Sequence, residues 1–216
     1  MLMLSPAPTR HLNQITRHIG RTIGHSPMVF HEMLEGMRLD LHIVPPQAGP
    51  ASAAHPYGRS HFTLVTSGLS AAGGQMGRCA ELMISLPADW PGLRADGTFA
   101  PEMMQEDVLS WPVRLLKSVA HICREQGPKV GELFPVMEGG QKLRNVPFAA
   151  AAVLPSMLHP QSTRLVVHDD LAISFLALFP LYEEELRAGI SGTQLAATLA
   201  QRNVTDLVDV RRGRLC

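Results

Sequence analysis

His31, Asp40 and His42 are the residues of this chain whose types and spacing come nearest to chemistry. They lie in the stretch from Pro27 to Pro46, P-M-V-F-H-E-M-L-E-G-M-R-L-D-L-H-I-V-P-P. Leu39, Leu41 and Ile43 alternate there with Arg38, Asp40 and His42, a period of two that predicts a strand with one buried face. A second strand precedes it, carrying Val29, Phe30, Met33 and Leu34. If Glu35-Gly36 form a two-residue turn, Leu34 opposes Met37 and His31 falls opposite Asp40. His42 is then diagonal to His31, on the same face and within side-chain reach. Two imidazoles and a carboxylate so placed could ligate a metal ion, as in a metal-dependent enzyme. They could equally form a hydrogen-bonded network in which Asp40 orients a partly buried imidazole. The structural network is preferred, because no further ligand is close in sequence and buried polar groups are ordinarily paired.

Other patterns for chemistry fail on spacing. Ser67-Gly68-Leu69-Ser70 is not the G-x-S-x-G of a nucleophile elbow, and Gly73-Gly74 is not spaced as a phosphate loop. Gly68 reads more simply as a strand end or bulge. His31-Glu32 lacks the second histidine of H-E-x-x-H, and His11, His18 and His25 recur at seven rather than at the three or four of helix-borne ligands. Cys79, Cys123 and Cys216 show no C-x-x-C spacing, so neither a disulfide framework nor a zinc knuckle is expected. The expectation is a non-enzyme with no catalytic residues, no metal and no cofactor.

Composition narrows the partners. The 216 residues are 45% hydrophobic with 19 basic and 19 acidic side chains. A balanced charge argues against nucleic acid or an anionic membrane, both of which favour a basic field. The Arg211-Arg212-Gly213-Arg214 cluster is read as a solvated tail. Met1 to Leu4 stops at Ser5-Pro6, short of a signal-peptide core, and the apolar run Ala149 to Leu154 is too short to span a bilayer. A reduced, cytoplasmic protein is expected.

The elements that would position these groups follow in order. A helix over 9–22 has Thr9 as its cap and Leu12, Ile15, Ile19 and Ile23 on one face. After the hairpin come a loop at 47–58, a β-rich run at 61–70, a connection at 71–77 and a buried strand at 79–87 bearing Glu81. Residues 92–107 read as a surface loop. The clearest helix runs from Ser110, its cap, to Glu125, with Leu115, Leu116, Val119, Ile122 and Cys123 as its buried stripe. Residues 130–145 look irregular. Strands are expected at 147–154, 164–168 and 172–179, with helices at 181–188 and 191–202. Trp90, Trp111, Tyr57 and Tyr182 are expected to anchor the core or its rim. Without regular β-α-β alternation, the class is α+β, in a single domain over 1–216.

The ordered series H-I-G (18–20), V-F-H-E (29–32), L-D-L-H-I-V-P-P (39–46), T-L-V-T-S-G-L-S (63–70), A-E-L-M-I-S-L-P-A-D-W (80–90), W-P-V-R-L-L-K (111–117) and F-P-L-Y-E-E-E-L (179–186) resembles the suppressor of fused-like domain over roughly residues 15 to 190. The chain departs from that family at Arg38-Leu39-Asp40, where members often carry H-x-D. It departs again at Gly68-Leu69-Ser70-Ala71, where the family's acid is missing, and near Gly131, where no G-H-T-like segment is evident. The resemblance implies an α/β sandwich whose mixed, mostly antiparallel sheet is flanked by helices. It also implies a protein that binds other proteins rather than a catalyst. The animal relative grips an extended peptide of a transcription factor, and bacterial members have been proposed as immunity proteins that neutralise polymorphic toxins. A toxin domain encoded nearby is therefore the expected partner, with a homo-oligomeric scaffold as a further alternative. By analogy with the animal protein, the expected docking surface is Leu64 to Met76, with Leu64, Thr66, Ser67, Gly68, Leu69, Ser70 and Met76 as its residues.

Overall fold

The alternation around Asp40 becomes an antiparallel pair, β1 (Met28–Leu34) and β2 (Met37–Val44), in the computed structural model, which describes residues 11–34, 37–46, 61–72, 79–138, 140–189 and 192–215. The register has Leu34 opposite Met37 and His31 opposite Asp40, as the two-residue connection requires. Glu35-Gly36, Thr9 and Tyr57 lie outside the described residues.

Further strands extend the pair into one sheet. They are β3 (His61–Ser67), β4 (Ala80–Pro87), β5 (Leu133–Pro135), β8 (Ala150–Pro155), β9 (Arg164–His168) and β10 (Leu171–Leu181). A two-residue pair, β6 (Met137–Glu138) with β7 (Gln141–Lys142), stands apart. The order across the sheet is β1-β2-β3-β4-β10-β8-β5, and β9 lies along the first residues of β10. All neighbours run antiparallel except β4 and β10. The expected mixed, mostly antiparallel sheet is therefore present.

Helices cover both faces. On one, α3 (Asp107–Cys123) packs Trp111, Leu115, Leu116 and Val119 over Leu41, Leu64, Leu82 and Leu178. Ring contacts from Trp90 edge-on to Trp111, and on through tilted pairs with Phe148 and Tyr182, join this core to the C-terminal region. On the other face, Ile15 and Ile19 of α1 (Leu12–Thr22) meet Val65, Met83 and Phe175. Leu195 and Leu199 of α5 (Gly192–Gln201) meet Leu154 and Phe179. Helix α3 begins three residues earlier than Ser110, whose hydroxyl donates back to the Glu106 carbonyl instead of capping. Pro112 therefore sits inside the helix, where its missing N–H leaves the Val108 carbonyl without that helical bond. Ile122 departs from the expected buried stripe, being 60% exposed. The 92–107 segment is not wholly surface either, since Leu93 and Met103 are buried. Nor is 130–145 wholly irregular, because β5, β6 and β7 fall within it.

The arginine cluster near the C-terminus is not a solvated tail. Arg212 clamps Glu185 of α4 (Glu183–Arg187) with bonds of 2.5 and 2.7 Å and donates to the Pro180 carbonyl at 2.9 Å. Its guanidinium lies over the Tyr182 ring, 4.6 Å from the centroid, and Arg214 stacks on the same ring. A planar cation that can both fork to a carboxylate and lie on an aromatic face is suited to such a site. Among the described residues, no helix is long and apolar enough to cross a membrane.

Candidate protein-docking face

The polar face of the hairpin divides into two separate arrangements. Asp40, buried in the sheet, accepts from His31 Nδ1 at 2.8 Å and from Arg38 Nε and NH2 at 2.9 and 3.0 Å. Burial works against its charge, but the bonds from Arg38 and His31 outweigh it and hold the carboxyl below the ordinary aspartate range. His42 does not join this group. Its Nε2 meets Ser67 Oγ across the neighbouring strand at 2.9 Å, and its buried Nδ1 has no partner among the described residues. The expected network of His31, Asp40 and His42 is thus divided, with Asp40 held by His31 and Arg38 and His42 by Ser67, and the three residues do not converge as metal ligands. Among the described residues, no three His, Cys, Asp or Glu side chains gather where they could hold an ion.

Exposure changes what Asp40→Ala should do. The side chains of His31 and Arg38 are 61% and 44% exposed, so both reach water when their acceptor is removed. The expected fall in melting temperature is about 2–4 °C, the scale of a lost near-surface interaction rather than of an orphaned buried charge. A drop well beyond that in thermal unfolding would show that Asp40 also organises the backbone.

His42 carries a larger effect. Burial pushes its imidazole down to about 4, with the charge on Asp40 pulling the other way. Unfolded, the same ring titrates near 6.5. Between those values the unfolded chain binds a proton that the folded chain does not, so stability falls as pH drops through the window, by roughly 3 kcal/mol in all. Urea melts from pH 7.5 to 4 should show this acid limb, and His42→Gln should flatten it. An equally steep limb in the variant would assign the loss to other groups.

Leu64, Thr66, Ser67, Gly68, Leu69 and Ser70 are buried, and Met76 lies outside the described residues. Strand β3 has β2 on one side and β4 on the other, so the expected docking surface offers neither a free edge nor accessible side chains at these six positions. Their roles are internal. Gly68 has φ +114°, and a Cβ there would stand 2.3 Å from the Arg38 carbonyl oxygen. It turns β3 into the short α2 (Leu69–Ala72), whose start is held by Glu81. The carboxylate of Glu81 accepts from Thr66 Oγ1 at 2.8 Å, the Gly68 amide at 3.0 Å, and the Ser70 amide and hydroxyl at 3.1 and 2.6 Å. Burial pushes this carboxyl up and the four donors pull it down. Neither described cysteine is a ready nucleophile, since burial raises Cys79 and pushes Cys123 up to about 12.

The accessible apolar ground lies elsewhere, between the sheet edge and α3. Among the described residues, β1 has no strand on its outer side. Phe30 of β1 stacks on Phe99, their centroids 4.3 Å apart. Beside them a cavity of about 300 Å³ is floored by Leu39, Leu41, Val113 and Leu116. Glu32, Met104 and Lys117 line both this cavity and a neighbouring one of about 500 Å³, bounded by Ile122, Pro135 and Met137. Glu32 and Lys117 form an ion pair at the boundary. Met104 is 47% exposed, and with Ile122 it presents apolar surface to solvent at the groove. A strand edge offers unpaired backbone donors and acceptors, and an apolar groove beside it offers room for alternate side chains. Sequence periodicity could not find this groove, because it assigned Ile122 to the core.

The chain thus folds as a mixed sheet sandwiched by helices, with the outer side of β1 unpaired among the described residues. The family model for suppressor of fused protein (SUFU) matches residues 38–213, and the chain belongs to that family. The fold is shared with a suppressor of fused homolog from Neisseria gonorrhoeae, at a TM-score of 0.61 and 15% identity, covering 97% of this chain and 98% of that one. It is shared with the Sufu-Fu complex structure, at 0.60 and 14%, covering 98% and 93%. Drosophila Suppressor of Fused aligns at 0.63 and 13% over 98% of this chain, which spans about half (52%) of the fly protein. No curated protein matches the sequence.

Proposed function

We propose that this chain is a non-catalytic protein-binding domain that acts as an immunity protein, holding a toxin domain encoded nearby. The observation that carries the reading is the outer edge of β1 beside the apolar groove along α3. An extended partner segment would add to β1 through its main chain. Every second side chain would then enter the groove, toward Phe30 and Glu32 on the near side and Leu116 and Lys117 on the far side. Family membership supports protein binding, and one structure of the shared fold is described as a Sufu-Fu complex.

Co-expression with each toxin domain encoded beside the gene tests the reading. The expected result is a stoichiometric complex surviving size-exclusion chromatography. Recovery of the chain alone in every case would remove the immunity role. A homo-oligomeric scaffold would use the same edge against a second copy, and a concentration-dependent dimer in sedimentation would select that reading instead.

A further inference from the structure

The two cavities at the β1 edge meet at one ion pair, and its ends are placed to be exchanged. Phe30 and Glu32 are two residues apart on β1, opposite Leu41 and Leu39 across the hairpin, so they share the face turned to α3. Glu32 pairs with Lys117 of α3. Their side chains are 37% and 29% exposed, so the pair holds weakly against a competitor and Glu32 can turn to water. Among the described residues lining the larger cavity, Glu32 is the one carboxylate, against Arg114 and Lys117. Arg114 is engaged by Asp107 at 2.9 Å, while Lys117 lines both cavities.

A strand added to β1 would lie about 4.8 Å outside it, with the side chain opposite Glu32 about 5 Å away. That position falls within reach of the Lys117 ammonium. An apolar group there would strip water from the ammonium and return nothing, and a second cation would be repelled by it. A carboxylate would be held. The neighbours on the same face, two residues away at about 6.6–6.8 Å, fall on apolar ground to either side. One side offers Phe30 stacked on Phe99, and the other Ile122, Pro135 and Met137. We propose, resting on strand addition at β1, that the groove is specific for an extended partner segment whose acidic residue is flanked two positions away on each side by apolar residues. The partner's carboxylate takes Lys117 from Glu32 as the segment docks, and Glu32 turns to solvent.

Two seven-residue peptides, blocked at both ends, test the exchange. Each presents threonines on one face, and on the other valine, a central aspartate or asparagine, and valine. Titrated into the full chain and followed by amide chemical shifts, the aspartate peptide should saturate below about 1 mM and shift residues 28–34, and the asparagine peptide should bind at least about fivefold more weakly. Lys117→Met should abolish that preference, whereas Glu32→Gln, which removes the competing carboxylate, should tighten the aspartate peptide about two- to threefold. Both variants should melt as the parent does. Equal binding of the two peptides, saturation by neither, or a preference that survives in Lys117→Met would overturn the proposal, as would equal losses in the two variants. A toxin-domain complex formed equally by the parent and Lys117→Met would remove the exchange and leave strand docking standing. An aspartate preference lost in Lys117→Met, without any toxin complex, would keep the exchange and remove only the immunity role.

Discussion

Glu185→Ala should cost about 3–5 kcal/mol, because it leaves a buried guanidinium without its counter-charge. Arg212 has a nearly buried side chain, and Glu185 is fully buried. The same carboxylate also accepts from the Tyr182 and Leu215 amides at 2.8 and 2.9 Å, so the substitution orphans two backbone donors as well. Burial opposes the charge on Glu185, but Arg212 and those amides outweigh it and hold the carboxyl below the usual glutamate range. A carboxyl depressed on folding contributes stability that is present above its unfolded value and is lost as pH falls through its folded value. Acid should therefore loosen this latch and disfavour buried, neutral His42 in the same direction. In urea the variant should show a lower midpoint with a similar slope, and Glu185→Ala/Arg212→Ala should cost less than the two single changes added together. A loss below about 1 kcal/mol would place the pair in water instead.

The second large effect is expected at Glu81. Glu81→Ala removes the acceptor of four donors at the turn from β3 into α2. The Gly68 and Ser70 amides cannot easily re-pair in a buried turn, and each orphaned donor costs about 1–3 kcal/mol. A total of about 3 kcal/mol or more is expected, with faster amide exchange at residues 68–70. Glu81→Gln, which keeps one acceptor oxygen but turns an NH2 toward the donors, should fall between the two. Wild-type stability and exchange in Glu81→Ala would mean that the turn is held by packing alone.

Local pattern made much of the fold legible. Alternation around Asp40 specified β2, and the short connection specified the His31–Asp40 register. Spacings of three and four identified the buried faces of α1 and α3. What stayed hidden depends on long-range pairing. Arg212 lies 27 residues from Glu185, and no local period links a basic cluster to a run of glutamates. His42 shares a face with Asp40, yet the strand arriving from residue 61 onward supplies Ser67 as its partner. Glu81 sits in a strand whose apolar character marks it as buried, but its donors come from the preceding strand and turn. Ile122 obeys the helical period and is still exposed, because at that point it lines an open cavity with Pro135 and Met137 instead of packing into the core. The departure of Ile122 from its own pattern is what draws attention to the groove.

The groove is also where the functional reading is most directly tested. Ile122→Glu places a charge on an exposed wall without disturbing the core, so its melting curve should match the parent's. In a calorimetric titration with the toxin domain encoded beside the gene, the parent chain should bind saturably and Ile122→Glu should bind at least about tenfold more weakly, a loss of about 1.4 kcal/mol or more. Equal affinity in the two chains would contradict docking along α3, and no binding by the parent to any such domain would contradict the immunity role.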